Sequence, residues 1–428
     1  MITVIAITFS VFLLLGIPIS FTMGLCSLVF LLIIGNVPLR VIGTQMFTGV
    51  DSFPYMAIPF FILAGELMSA GGITTRLIKF ATALVGRIRA GLAHTLVIAE
   101  MILSGVTGSA VADAAALATV LLPAMEKEGY DKTFTIALIS AASVLGPIIP
   151  PSIIMVIYGV TASESIGALF LTGFIPGALM AICLMITTRL MGKWYPLPLR
   201  AQGTSLKEIV GGSRDAVLSL IMPVIVIGGI LGGIFTPTEA AAVAVVYAFI
   251  VGFFVFKELK LSMLPRIFVS SGATSSMVCL IASCASIFSL LLATEQIPQK
   301  LSASVISFTT NPIIVLALLN FFLLIAGCLA DTASLILILT PILLPLAMQA
   351  GVHPLHFGII MTLNLSIGLI TPPVGVCLFV GCAVGGVTIE KLTRTIWPYV
   401  LSHLVVLGII TYFPGLALWL PRLFGYAK

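Results

Sequence analysis

The sequence predicts an all-α polytopic membrane protein built as an inverted repeat. Each half carries one re-entrant helical hairpin and one transmembrane helix broken by prolines. Three observations predict it. Hydrophobic residues make up 60% of the chain and charged ones 8%, with a mean hydropathy of +1.25, outside the balance of a water-soluble domain. Apolar runs long enough for about 30 Å of hydrocarbon recur from end to end. Two of these runs, VLGPIIPPSIIMV (144–156) and SIGLITPPVGVCL (366–378), interrupt themselves with prolines at related positions. An outer-membrane barrel is excluded, because FFLLIAGCLA and AVAVVYAFIVGFFVF are apolar on every side rather than alternating.

Taken in order, complete spans are expected near 2–17, 18–35, 52–69, 134–160, 167–191, 216–235, 238–256, 267–293, 355–382 and 395–420. The opening MITVIAITFSVFLLLG lacks the basic start and small-residue cleavage site of a signal peptide, so it reads as a retained span. Residues 92–125 and 302–350 are too long for one crossing and too interrupted for two, with the small-polar breaks SGVTGSA and GCLADTAS in their middles. They read as re-entrant hairpins, since bent backbone survives at membrane depth only where protein or a wet cavity surrounds it. The seven cysteines lie in apolar segments and read as packing residues, not a disulfide framework.

With this threading, sixteen of the twenty lysines and arginines fall on one face, which the positive-inside rule makes cytoplasmic. The stretches 76–91 and 193–215 read as amphipathic arms along that interface. The net charge of +5 therefore reports topology and not a nucleic-acid partner.

A shift of 222 positions lays Leu121, Leu122, Pro123, Gly129, Gly146, Pro150 and Pro151 on Leu343, Leu344, Pro345, Gly351, Gly368, Pro372 and Pro373. Asp113 and Asp331 correspond only with four extra residues upstream in the second half. Five complete crossings per half is an odd number, so the second half is expected to enter from the opposite side.

Pro150 and Pro151 leave the carbonyls of Gly146 and Pro147 without their helical donors, and Pro372 and Pro373 do the same to Gly368 and Leu369. Unpaired carbonyls in hydrocarbon cost several kcal/mol each by general estimates, so a partner is required. A small cation such as sodium, which takes oxygen ligands, meets that need. A kink patched by serine hydroxyls or water is the rival reading. The hairpin tips add Ser104, Gly105, Thr107 and Gly108 in the first half, and Gly327, Asp331 and Thr332 with nearby Thr371 in the second. Asp331 is either a ligand or a helix cap closing onto Ser334. Asp113 reads as a first-turn residue favouring the helix dipole, though carboxyls at this depth are functional candidates by default. Helix starts near Ser109, Ser152 and Thr332, next to Pro150 and Pro151, offer N–H groups to an anionic substrate.

The phrases GVTGSAVADAAALATVLLPAMEKEGYDKTFTIALISAASVLGPIIPPS, YGVTASESIGALFLTGFIPG, GIFTPTEAAAVAVVYAFIVG and LSIGLITPPVGVCLFV resemble the large membrane subunit of tripartite ATP-independent periplasmic (TRAP) transporters. The resemblance spans essentially the whole chain. It implies a multi-pass protein of the bacterial inner membrane that takes up an organic acid, of the C4-dicarboxylate or sialic acid type, coupled to two or more Na+ ions. It also implies delivery by a periplasmic substrate-binding protein, a separate small four-helix membrane subunit, and an elevator movement of a transport domain against a scaffold. On that plan, 1–91 holds scaffold spans and an arm, 92–160 the first hairpin and broken helix, and 161–301 connecting and scaffold spans. The second hairpin and broken helix occupy 302–382, and the C-terminal span 383–428. TPTEA (236–240) matches a family signature, but its residues read as a periplasmic turn with a helix cap.

An enzyme is not expected. There is no H-E-x-x-H, no G-x-S-x-G, no paired Asp-Asp and no phosphate-binding loop, so the chain does not itself hydrolyse ATP. A channel, or a cation-coupled carboxylate carrier that needs no binding protein, is the alternative within transport.

Overall fold

The computed structural model describes residues 2–35, 38–85, 90–198, 206–309 and 311–427, so parts of both predicted arms, 86–89 and 199–205, lie outside the described residues. The described residues are helical, with no strand among them. The first half runs α1 (Ile2–Leu14), α2 (Ile19–Ile34), α3 (Arg40–Thr48), α4 (Ala57–Ala70), α5 (Ile73–Val85), α6 (Gly91–Thr107), α7 (Ala110–Lys127), α8 (Lys132–Ser143), α9 (Ile153–Ala162) and α10 (Ile166–Met191). The second runs α11 (Leu206–Leu231), α12 (Pro237–Ile250), α13 (Leu264–Thr294), α14 (Ile297–Phe308), α15 (Pro312–Leu329), α16 (Thr332–Gln349), α17 (Pro354–Gly368), α18 (Val376–Gly385), α19 (Ile389–Tyr412) and α20 (Pro414–Leu423).

Among the described residues, seven helices are long and apolar enough to cross a bilayer. Each predicted proline-broken span is a pair of shorter helices, α8 with α9 and α17 with α18. The peptide bonds Pro150–Pro151 and Pro372–Pro373 are both cis.

Element bounds recur at the shift found in the sequence. Moved by 222 positions, α7 (110–127) becomes 332–349, the bounds of α16, and α6 (91–107) becomes 313–329, within one residue of α15. No four-residue insertion separates the halves here. Ser109, the N-cap of α7, therefore corresponds to Asp331, the N-cap of α16, and Asp113 has no acidic counterpart.

Two boundaries differ from expectation. The second hairpin begins at Pro312 rather than 302, and the preceding residues form the separate helix α14. Asn311 accepts from the Ile313 N–H at 3.0 Å and Pro312 opens α15, so a capped start stands where the sequence reading ran on. The C-terminal span ends at Tyr412, because Pro414 has no N–H to continue it, and α20 follows. TPTEA behaves as read: Thr236 and Glu239 close a reciprocal capping box on α12.

Packing gathers α1 to α4 with α11 to α13, and α6 to α10 with α15 to α20. The two groups meet where α5 packs on both α6 and α11, where α13 and α14 pack on α16, and where α4 packs on α6 and α9. Within the second group the halves interlock: α18 packs on α7 and α8, while α9 packs on α16. Ser140 donates to the Cys377 carbonyl at 3.3 Å, joining α8 to α18, and the Tyr158 hydroxyl to that of Pro354 at 2.8 Å, joining α9 to α17.

Candidate functional site

Each hairpin tip meets the break in its own half. Gly108, with φ +61°, turns the chain between α6 and α7, and a β-carbon there would stand 3.0 Å from the Pro151 carbonyl oxygen and 3.1 Å from the Ile153 nitrogen. A β-carbon on Gly105 would lie 3.3 Å from the Pro150 oxygen. From the other side, a β-carbon on Gly146 would lie 3.2 Å from the Ala110 nitrogen and 2.5 Å from Asp113 Oδ2. In the second half Gly327 and Gly368 approach backbone to backbone. Glycine is required by the positive φ at Gly108 and by the backbone overlap a β-carbon on Gly368 would make, and it eases the other approaches.

The first tip holds two buried carboxyls. Asp113 sits in the first turn of α7 as expected, but it is fully buried and turned inward, accepting a hydrogen bond from Thr107. Glu100, also fully buried on α6, accepts from the Ser104 hydroxyl at 3.2 Å, and the same hydroxyl reaches the Glu100 carbonyl at 2.7 Å. Asp113 Oδ2 and Glu100 Oε2 receive no hydrogen bond from an N–H or hydroxyl among the described residues, and the two carboxyls stand within hydrogen-bonding reach of each other, placed to share a proton. Glu100 was missed by the sequence reading. The signal was there, an acidic residue one helical turn before Ser104 inside VIAEMILSG.

The carbonyls expected to be free are mostly satisfied. Pro147 accepts from the Ser152 hydroxyl at 2.5 Å, Gly368 from the Thr371 N–H at 3.1 Å, and Leu369 from the Cys377 N–H at 3.0 Å. The serine-patched kink thus describes Pro147. Gly146 alone of the four keeps a carbonyl without a donor among the described residues.

The helix starts also differ from one another. Ser152 caps α9, accepting from the Met155 N–H at 3.2 Å, and Asp331 caps α16, accepting from the Ser334 N–H at 3.2 Å. Ser109 stands at the N-cap of α7 but makes no side-chain cap bond, so the first N–H groups of α7 keep their donor capacity. Asp331 is exposed, whereas Thr332 is buried with its hydroxyl unpartnered. Thr371 returns its hydroxyl to Ile367 at 2.8 Å.

A buried polar network absent from the expectations joins the second hairpin to its broken helix. Asn364 donates to Asn320 at 2.7 Å, and Asn320 donates to Thr411 at 3.0 Å, tying α15, α17 and α19 together.

Paired hairpins meeting broken helices, inside a bundle of membrane-length helices, define a multi-pass transporter permease. The chain belongs to the DctM family: residues 6–416 match the profile described as "Tripartite ATP-independent periplasmic transporter, DctM component". It is 40% identical over 424 residues, 96% of each chain, to the C4-dicarboxylate TRAP transporter large permease protein DctM of Rhodobacter capsulatus. It is 39% identical over 417 residues, 96% of this chain and 97% of the other, to the sialic acid TRAP transporter large permease protein SiaM of Vibrio cholerae. The isethionate TRAP transporter permease protein DctMQ of Oleidesulfovibrio alaskensis is 40% identical, the match covering 96% of this chain and 65% of that longer one. In fold the chain is similar to the YdaH transporter of Alcanivorax borkumensis, with a TM-score of 0.64, 14% identity and 88% of each chain covered. It is a large permease subunit and not an enzyme.

Proposed function

We propose that this permease couples inward movement of an organic acid anion to Na+ and works as an inverted repeat by an elevator movement. The carrying observation is the first hairpin tip, where Asp113, with Glu100 beside it as a second carboxyl, turns Oδ2 toward Gly146, whose carbonyl lacks a donor among the described residues. A hard cation takes such oxygens, and Thr107 and Ser104 stand next to them. The second tip, with Gly327, Thr332, Gly368 and Thr371, is the place for a further ion. Asp331 occupies an N–H of α16 as its cap, whereas Ser109 leaves the first N–H groups of α7 open, so the substrate carboxylate belongs at the start of α7, beside Ser109 and Ser152, with the cation between it and Asp113.

The relatives named for C4-dicarboxylates, sialic acid and isethionate support an acidic substrate. A small membrane subunit and a periplasmic binding protein complete the proposed system. The longer DctMQ relative, of which the match covers 65%, supports a small-subunit partner for the permease part. The recurrence of element bounds at one shift supports the repeat, and the two helix groups supply a scaffold and a moving body.

The test is uptake into vesicles holding this chain, its small subunit and its binding protein under an imposed Na+ gradient. Saturable uptake that collapses without the gradient or the binding protein is expected, and Ser109→Ala should raise the substrate concentration required. Conduction that neither saturates nor needs the binding protein would overturn the reading.

A further inference from the structure

We propose that the seam between α6 and α10 holds one anionic phospholipid, its phosphate between Arg189 and Lys193 and one acyl chain in the apolar cavity further along the same helices. The seam is the line along which α6, starting at Gly91, packs on the antiparallel α10, ending at Met191. At this end a cavity of about 210 Å³ opens between Ala90, Arg189, Gly192, Lys193 and Leu197. Neither Arg189 nor Lys193 has a hydrogen-bond or ion-pair partner among the described residues, where the ion pairs are Arg76–Glu258 and Lys132–Glu126. Two unneutralised cations around one basin at a membrane rim favour a phosphate.

The second observation lies deeper and is independent of charge. A cavity of about 480 Å³ is walled by Met101 of α6, by Phe174, Ala178 and Ile182 of α10, and by Ile149 at its far side. Seven residues separate Ile182 from Arg189, about 10 Å at the helical rise. That spacing sets a headgroup basin above an acyl slot. Between them, Ile182, Ile186, Leu190 and Trp194 follow each other at four-residue intervals and are 48, 54, 55 and 72% exposed, an outward apolar stripe ending on a tryptophan. Tryptophan at the end of such a stripe marks the interface, which places the cationic basin at headgroup level.

The source of the phosphate follows from the pairing of the two cavities. Free phosphate would use the basin and leave the apolar slot without a role, whereas a diacyl lipid uses both. The slot also ends on Ile149, one residue from Pro150, so the acyl chain bears on the first break and the lipid touches the support of the transport site.

The test is native mass spectrometry of the full-length protein, released from vesicles of phosphatidylcholine mixed with phosphatidylglycerol. Retention of one phosphatidylglycerol is expected, reduced roughly thirtyfold in the Arg189→Gln, Lys193→Gln double variant, since each cation contributes about 1 kcal/mol near an anionic surface. Ala178→Trp, which fills the slot, should reduce retention while both cations remain. Inorganic phosphate should not displace the lipid. Melting in phosphatidylcholine alone reports folding of each variant, and Lys193→Gln by itself, at an exposed position, serves if the double variant does not fold. Equal retention of the two lipids, or retention unchanged in the variants, would overturn the proposal. Displacement by inorganic phosphate, or insensitivity to Ala178→Trp, would make the basin a site for free anions instead. Displacement by added small membrane subunit would make the seam a protein interface.

Discussion

Gly327 of α15 and Gly368 at the end of α17 touch through their backbones, and a β-carbon on Gly368 would overlap the Gly327 carbonyl group. The contact fixes the height at which the second hairpin meets the second break. Gly368→Ala is expected to force the two apart, at about 1–3 kcal/mol for overpacking, and to abolish uptake while the protein still inserts. Gly408→Ala in α19, where nothing lies within 4 Å, should leave uptake unchanged. Uptake and thermal melting of the two variants in parallel check this.

Asp331 has an observed role as a cap on Ser334 and a proposed one near the second ion. Two substitutions separate them. Asp331→Ala should lower stability by about 1 kcal/mol through loss of the cap, whereas Asp331→Ser, which still caps, should restore it. If the carboxylate also serves the ion, both variants need more Na+ for half-maximal uptake, on the order of tenfold for one charge-assisted contact. A normal Na+ requirement in Asp331→Ser would leave only the cap.

Asp113 and Glu100 share the first tip but differ in their partners. Asp113→Asn should raise the Na+ concentration for half-maximal uptake on the order of tenfold or more, and Thr107→Val, which removes the donor to Asp113, should raise it less. Glu100→Gln keeps shape and the bond from Ser104, so it tests whether the second carboxyl is needed as an anion. Na+ titrations of uptake distinguish these outcomes. Identical Na+ curves in Asp113→Asn and the parent protein would remove the first site.

At the opposite rim, between α9 and α10, burial pushes the Glu164 carboxyl above its ordinary value and the nearby His353 charge partly offsets the rise. The fold therefore holds this proton more tightly than the unfolded chain does. Stability from this group is greatest below about pH 4.5 and declines as pH rises through the folded-state value. Glu164 is half-buried and partly screened by solvent, so the effect is small. Melting curves of the parent and Glu164→Gln should diverge with rising pH in that window, the variant losing less.

The legible part of the fold was whatever leaves a periodic or local mark. Hydropathy set the spans, and the proline pairs with Gly146 and Gly368 set the repeat, because these residues change backbone geometry wherever they occur. What stayed hidden depended on side-chain direction. Glu100 and Asp113 are ordinary letters in an apolar run until α6 and α7 fold together and turn them toward one point. The state of a freed carbonyl was equally hidden. Whether Pro147 stays open depends on the rotamer of Ser152, and whether Gly368 and Leu369 do depends on how the next residues coil back. Only Gly146 kept the openness expected of all four.

The interlocking of α7 with α18 bears on biosynthesis. α7 ends at residue 127 and α18 begins at residue 376, so 249 residues must leave the ribosome before the first hairpin gains its brace. Throughout that interval the two carboxyls and the uncapped helix start have only the neighbours of their own half, α6, α8 and the break after Gly146, to shelter them from lipid. A chain stopped short of α18 therefore leaves one side of α7 and α8 without its protein neighbour.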